Sequence, residues 1–364
     1  MNARTIVVVG AGLAGARAAE TLRGGGYDGR VVVLGEEPVA PYERPALSKE
    51  FLAGTRDEAS LLLRKPAFWT DRSIELVLGT RVVALDPVDR VVRTTEGGAV
   101  GFDHAIVATG ARPRRLPLEL PAGAHELRTL ADARALRAEL APGARLVVVG
   151  GGFVGAEVAS TALELGLRVT IVEAANAPLA RVLGEDVGLL LAARWQRRGI
   201  DVRLRTGIGH VRADAGGRVD SVLLSDGSEL RADVLLVGVG VAPAAELLPP
   251  RPAVHVHAAG DVSGSGHWTA AAHDGAAAAR RILGLPAAAP QAPYVWSDQF
   301  GLRLQLVGQP DPDGAIELEG GDDSFAVRYL DAAGETRAAL LANRPAEAAS
   351  LRRRLAGTEV ALAA

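Results

Sequence analysis

The 364-residue sequence contains no cysteine. That excludes a disulfide, a cysteine-held iron–sulfur cluster, a thiolate nucleophile and a C-x-x-C redox pair. Any electron chemistry must therefore run through a bound organic cofactor. Lysine is nearly absent too: of 40 basic residues only Lys49 and Lys65 are not arginine. A lysine retained against that bias is a candidate for a role that arginine cannot fill. No apolar run reaches the ~18 residues of a membrane span, and a net charge of -3 gives no reason to expect nucleic acid or an acidic membrane as partner. The apolar N-terminal stretch has no cleavage-site pattern. A cytoplasmic protein of two or three domains is expected.

What the chain has in abundance is glycine, 43 residues of it. The stretch TIVVVGAGLAGARAAETL, Thr5 to Leu22, sets the reading of the rest. Ile6 to Val9 is short and wholly apolar, as in a buried parallel strand. Gly10, Gly12 and Gly15 follow as G-x-G-x-x-G, and an Ala-rich helical segment comes next. Gly10 permits the tight turn, Gly12 lets the backbone approach a pyrophosphate, and Gly15 lets helix pack on strand. The helix N-terminus adds free N–H groups and the positive end of a dipole. A carboxylate about 20 residues on holds a ribose in such sites; here VVVL ends in Gly35-Glu36-Glu37, which supplies it.

A second copy begins at Arg145. Leu146 to Val149 is the strand, Gly150, Gly152 and Gly155 form the turn, Glu157 lies in the first turns of the helix, and Glu173 closes the strand Arg168 to Val172. The whole site is repeated, which suggests two cofactors, FAD and a nicotinamide, exchanging hydride. Glu173 would bind both ribose hydroxyls of NADH and repel a 2′-phosphate, and Ala174, Ala175 and Asn176 offer no arginine for that phosphate.

Between the copies, APYERPALSKEFLAG (Ala40 to Gly54) reads as a proline-bounded loop leading into a short helix. Strand-like runs follow, the last of them Ala105 to Thr109, ending in Ala108-Thr109-Gly110. After the second copy come Val234 to Val237, the glycine pair of GVGVAP (Gly238 to Pro243), and HVHAAGDV (His255 to Val262), read as a strand ending in Gly260-Asp261. His255 and His257 form an H-x-H pair with no further ligands nearby, so same-face strand residues are expected and no metal site. Trp268 to Leu283 reads as a helix and Ala287 to Pro293 as a linker. In the tail, YVWSDQFGLRLQLVG alternates like a strand, and a helix from Pro345 to Leu355 carries Arg352 to Arg354.

These marks together resemble one family. The chain is similar to the FAD-dependent, NADH-oxidising ferredoxin reductases that serve bacterial cytochrome P450s and Rieske oxygenases. The resemblance runs from about Thr5 to Leu355 and rests on PYERPALSK, ATGARPR, the paired glycine turns, GVGVAP, AAGDV and HWTAAA followed by VWSDQ. It implies that Gly10, Gly12, Ala14 and Gly15 hold the FAD pyrophosphate and Glu36 its ribose. It places Arg44 and Lys49 along the flavin, Lys49 near N5, with Val82, Arg128, Asp261 and Trp268 as further FAD contacts. Ala108, Thr109, Gly110, Gly260 and Trp296 belong to the same matched motifs. Gly150, Gly152, Gly155 and Glu173 resemble the NADH site, and Glu157 the acid beside the nicotinamide. A cation near N5 favours arrival of hydride, and a carboxylate would orient it; a structural ion pair is the competing reading of Lys49 and Glu157.

The resemblance implies an α/β chain of two Rossmann-like dinucleotide-binding domains, glutathione-reductase-like, plus a small C-terminal α+β domain. The expected division is FAD-binding 1–113 and 239–290, NADH-binding 114–238, and C-terminal 291–364. The expected activity is NADH-dependent reduction of a [2Fe–2S] ferredoxin, with a P450 or Rieske oxygenase downstream. A rubredoxin reductase, an NADH oxidase or a weakly catalytic flavoprotein acting through binding are the alternatives. One departure stands out: the segment between Pro243 and Ala258 is shorter than in the family, so its usual strand pair is expected to be cut down.

Overall fold

The computed structural model describes residues 4–264 and 266–356. The chain divides into two compact units, each drawn from three stretches of sequence. The first takes residues up to 44, 58–112 and 242–289, and the second takes 45–57, 113–241 and 290 onward.

The first unit is built on a five-stranded parallel sheet in the order Val256–Ala258, His104–Val107, Thr5–Val9, Arg30–Leu34, Ile74–Val77. Its central strand explains the uninterrupted apolar run. Ile6 and Val8 face one core, with Ala16, Ala19 and Leu22 of the helix Leu13–Gly24, while Val7 and Val9 face another, with Val32, Val82 and Val92. Both faces are covered, so the period-2 alternation of a half-exposed strand disappears. The helix Trp268–Ile282 packs on Leu13–Gly24 closely enough that a Cβ on Gly275 would land on the Ala14 carbonyl. Between Val241–Pro243 and Val256–Ala258 the chain carries no strand. The return to the sheet survives, because Val256, His257 and Ala258 pair in parallel register with Ala105, Ile106 and Val107.

The second unit repeats the plan with the strands Asp201–Arg203, Arg168–Val172, Arg145–Val149, Val234–Val237 and Ala124–His125, all parallel. To it is joined an antiparallel sheet ordered Tyr294–Gln299, Leu302–Gly308, Thr336–Ala342, Phe325–Leu330, Ile316–Gly320. One face of that sheet packs under the helix Pro345–Leu355. Its other face, through Leu302, Leu304, Phe325 and Tyr329, shares a core with Ala156, Ala159 and Ala162 of the helix Phe153–Glu164.

Three expectations are corrected. YVWSDQFGLRLQLVG is a hairpin, because Phe300 (φ 51°) and Gly301 (φ 76°) are both left-handed, the geometry of a tight two-residue turn. His255 to Val262 is a strand only over Val256–Ala258 and then tightens into a short 3-10 helix, Gly260–Ser263. The short helix expected within Ala40 to Gly54 is, beyond the single 3-10 turn Arg44–Ala46, a run of turns. Its wide bond from Phe51 N–H to Ala46 O lets Leu47, Phe51 and Leu52 all be buried.

Candidate functional site

The two glycine turns are built alike. Gly10 (φ 114°) and Gly150 (φ 101°) take a conformation that side chains disfavour, and each donates its N–H to the end of the next strand, Leu34 O and Val172 O, at 2.8 Å. A Cβ on Gly10 would strike the Ala108 carbonyl, and one on Gly150 the Gly238 carbonyl. Ala108-Thr109-Gly110 is thus the passing chain that makes Gly10 obligatory, and Gly238-Val239-Gly240 does the same for Gly150. Gly15 and Gly155 sit against the carbonyls of Gly10 and Gly150, with Val8 and Val148 behind them.

Gly12 and Gly152 differ from these. Each is the N-cap of a 12-residue helix, without a side-chain cap or an acid in the first turn, and a Cβ on either would meet nothing within 4 Å. Open space therefore lies directly before two positive helix ends whose first N–H groups have no partner within the helix. That cradle fits a dinucleotide pyrophosphate in both places.

In the first unit Glu36 is exposed and 3.3 Å from Arg81. Glu37, the next residue, accepts from Tyr42 Oη (2.7 Å) and Arg44 (2.6 Å), and the Arg44 guanidinium lies over the Tyr42 ring. Burial pulls the Arg44 pKa down, but Tyr42 and Glu37, with Asp261 adding, outweigh it and leave it raised. Asp261 is carried by the 3-10 turn that begins at Gly260 (φ 79°), where a Cβ would press on Ala14. Thr109 Oγ1 donates to Ala244 O, Val82 is in the core, and Trp268 opens the helix Trp268–Ile282. His255 Nε2 meets Pro87 O, and His257 meets His104 at 3.3 Å. Among the described residues no group of three His, Asp or Glu could hold a metal.

In the second unit Glu173 is held by two backbone N–H groups, those of Gly151 and Ala175, both at 2.8 Å. Arg128 and Thr129 donate their N–H groups to Asp132 at the cap of the helix Leu130–Glu139. Trp296 stacks on Tyr294, whose ring also carries Arg352.

Lys49 and Glu157, 108 positions apart in sequence, form an ion pair at 2.8 Å. Glu157 is 6% exposed, and the Lys49 side chain 12%. The pair is pinned from both sides: Leu52 lies in the core beside Ala156 and Ala159, and Thr161 Oγ1 donates to Ser48 O. Ser48 Oγ also donates to Glu157 Oε2 (2.5 Å), and Ser297 Oγ donates to Oε1 (2.8 Å). A buried carboxylate with three donors, one of them a cation, meets the condition under which such charges persist.

Sequence reasoning missed four residues here. Ser48 stands inside PYERPALSK, and Ser297 and Gln299 inside VWSDQ, but a serine or glutamine has no spacing signature. Arg205 is the fourth. Its N–H bonds Ala175 O, which brings an arginine to the Glu173 loop from 30 positions downstream.

Comparison with known proteins agrees with this geometry. Residues 4–262 match the family described as pyridine nucleotide-disulphide oxidoreductase, and residues 294–364 match the domain described as reductase C-terminal. The ferredoxin–NAD(+) reductase component of the biphenyl dioxygenase system of Paraburkholderia xenovorans (strain LB400) is 36% identical, over 99% of this chain and 95% of its own. Rhodocoxin reductase of Rhodococcus erythropolis is 35% identical over 89% and 80%. The covalent putidaredoxin reductase–putidaredoxin complex superposes with a TM-score of 0.92 at 30% identity, covering 97% of this chain and 93% of that one. The chain therefore belongs to the pyridine nucleotide-disulphide oxidoreductase family, as a cysteine-free member with a reductase C-terminal domain.

Proposed function

We propose that the chain is an FAD-containing, NADH-dependent ferredoxin reductase of the cytoplasm. FAD bound to it would supply the link between two-electron and one-electron chemistry, hydride arriving from NADH and single electrons leaving to a [2Fe–2S] ferredoxin that supplies a cytochrome P450 or a Rieske oxygenase. The observation that carries the reading is two complete dinucleotide cradles in a chain without a thiol. Disulfide relay, the chemistry in the family's name, has no residues here, so electrons must leave from the flavin itself. The printed names of the relatives, reductase components of oxygenase systems, point the same way.

In this reading residues 1–113 and 239–290 bind FAD, 114–238 bind NADH, and 291–364 form the C-terminal domain. Gly10, Gly12, Ala14 and Gly15 cradle the FAD pyrophosphate, and Glu36 takes its ribose. Arg44, Val82, Ala108 to Gly110, Arg128, Gly260, Asp261, Trp268 and Trp296 complete that site. Gly150, Gly152 and Gly155 cradle the NADH pyrophosphate, and Glu173 accepts from its ribose hydroxyls. Lys49 supplies a fixed positive charge toward the flavin, and Glu157 orients it. No side chain need act as acid or base in the hydride step; the protein's task is orientation and electrostatics.

The test is an anaerobic titration followed by visible absorbance. A flavin spectrum that bleaches with about one equivalent of NADH, and poorly with NADPH, is expected. A protein that cannot be loaded with FAD sinks the reading. A rubredoxin–NAD(+) reductase of Pseudomonas putida is 34% identical over 83% of the chain, so rubredoxin is the acceptor to run beside ferredoxins.

A further inference from the structure

The Lys49–Glu157 pair is braced by a strand of the C-terminal sheet. Ser297 and Gln299 are two apart on Tyr294–Gln299 and so face the same way. Both are buried, at 0% and 2% exposure. Glu157 Oε1 can only accept, so the single proton of the Ser297 hydroxyl must go to it. Gln299 Nε2, 3.1 Å from Ser297 Oγ, must then donate. The direction Gln299 to Ser297 to Glu157 is fixed by chemistry, and it leaves Gln299 Oε1 buried with no partner. A side chain serving packing alone would lose that burden by losing its amide. On the other carboxylate oxygen, Ser48 and Lys49 share Glu157 Oε2. With Oε1 held, the carboxylate cannot rotate Oε2 away from the lysine.

We propose that Ser297 and Gln299 are positioning residues that aim the Glu157 carboxylate and, through it, the Lys49 ammonium. The proposal rests on the reading of Lys49 as the charge presented to the flavin. It gives the C-terminal sheet a part in the hydride step besides its part in the core.

The test compares Ser297→Ala, Ser297→Thr, Gln299→Met and Lys49→Met in the FAD-loaded protein. Five quantities are measured: the rate of flavin reduction at saturating NADH, the NADH half-saturation, the flavin midpoint potential, the melting temperature and the share of trace acetylation at Lys49. Ser297→Ala is expected to slow reduction about tenfold with half-saturation little changed. If the same tenfold is lost from the charge stabilisation of the reduced cofactor, the potential falls by about 30 mV for the two-electron couple. Ser297→Thr keeps the hydroxyl and recovers most of the rate. Gln299→Met slows reduction while its melting temperature holds or rises, because the orphaned carbonyl is gone. Because Lys49 and Lys65 are the only lysines, trace acetylation reads them side by side, and the Lys49 share should rise in Ser297→Ala. Wild-type rate, potential and labelling in Ser297→Ala and Gln299→Met, with Lys49→Met slow, would overturn the relay alone. A Lys49→Met protein with unaltered rate and potential would instead remove the reading beneath it. A Gln299→Met protein that loses rate only in step with its melting temperature also overturns the proposal.

Discussion

The two glycine helices, Leu13–Gly24 and Phe153–Glu164, carry different residues at one equivalent position. Two residues after the last glycine of each turn comes Arg17 in the first and Glu157 in the second. Arg17 has a side chain 36% exposed and pairs with Glu20, one helical turn on. Glu157 is enclosed by Ser48, Lys49 and Ser297. The backbone is repeated almost exchangeably, down to the 2.8 Å bond that closes each turn. What lies against the helix is not. The second helix is covered by the 45–57 segment and by the C-terminal sheet of its own unit, while on the first the equivalent positions Arg17, Glu20 and Thr21 are partly exposed and Glu20 pairs with Arg17 and Arg64. The cradle is therefore the common part, and the chemistry comes from what each unit packs against it.

The sharpest way to break that symmetry is at the glycine each copy cannot lose. Gly10→Ala and Gly150→Ala each force a side chain into a left-handed backbone and onto a passing carbonyl, a combination worth about 4 kcal/mol or more. The two should fail differently. Gly10→Ala is expected to yield protein without flavin absorbance, and Gly150→Ala to keep the flavin but not bleach with NADH. Identical loss of flavin from both would mean that the two cradles do not take different cofactors.

Glu157→Gln tests whether the second helix owes its function to the enclosed charge. The substitution keeps the shape but leaves Lys49 as a largely buried cation without its partner, at a cost of about 3 kcal/mol. Flavin reduction by NADH is expected to slow by one to two orders of magnitude, ~10–100-fold, in stopped-flow traces. Arg17→Gln on the first helix is the control, since an exposed pair contributes under about 1 kcal/mol.

Acid should separate the units by a different route. His257 is buried, and burial first, then His104, Arg281 and His255, push its pKa down to about 4. His104 is lowered as well, by burial and His255 above all. In the unfolded chain histidine titrates near ~6.5. Between those values the unfolded state binds more protons, so the stability that neutral His257 contributes is complete above ~6.5 and lost as pH falls to about 4. A loss of about 3 kcal/mol by pH 4 is expected in the first unit. Melting curves of wild type and His257→Asn from pH 7 to 4 read it: the variant should show the shallower decline. The same slope in both would place the acid sensitivity elsewhere.

Much of the fold was legible because its signals are local. A glycine turn is four or five residues of backbone geometry, and the strand before it is an apolar run, so both copies stood out in sequence. The hairpin around Phe300-Gly301 reads in sequence as one strand, since alternation continues across a two-residue turn and Phe300 carries no turn signature. The cage around Glu157 was half legible. Lys49 was conspicuous through arginine bias and motif, whereas Ser297 and Gln299 act by hydrogen-bond direction, which no spacing encodes. Arg205 was invisible for a related reason: a backbone bond to Ala175, across neighbouring strands, brings it to the Glu173 loop.

The smallest contrast lies at the two acids that follow the second strand of each copy. Gly35 and Glu173 are equivalent, as their N–H bonds to Val77 O and Arg203 O show. In the second copy Gly151 leaves room for the Glu173 carboxylate and donates to it. In the first, Ala11 stands in the place of Gly151, and a Cβ on Gly35 would come within 2.7 Å of the Ala11 Cβ. The acid is therefore displaced by one residue to Glu36, where it is exposed and touches only Arg81 among the bonds described for it. A carboxylate already fixed by two N–H groups gives its remaining acceptor sites to a ligand with less entropy to lose than a free one. Glu173→Ala should thus raise the NADH half-saturation about tenfold and narrow the gap to NADPH, whose 2′-phosphate the carboxylate repels. Glu36→Ala should weaken FAD retention only about threefold, below about 1 kcal/mol. Equal penalties, measured as flavin dissociation for one and NADH dependence for the other, would mean that the backbone clamp on Glu173 adds nothing to binding.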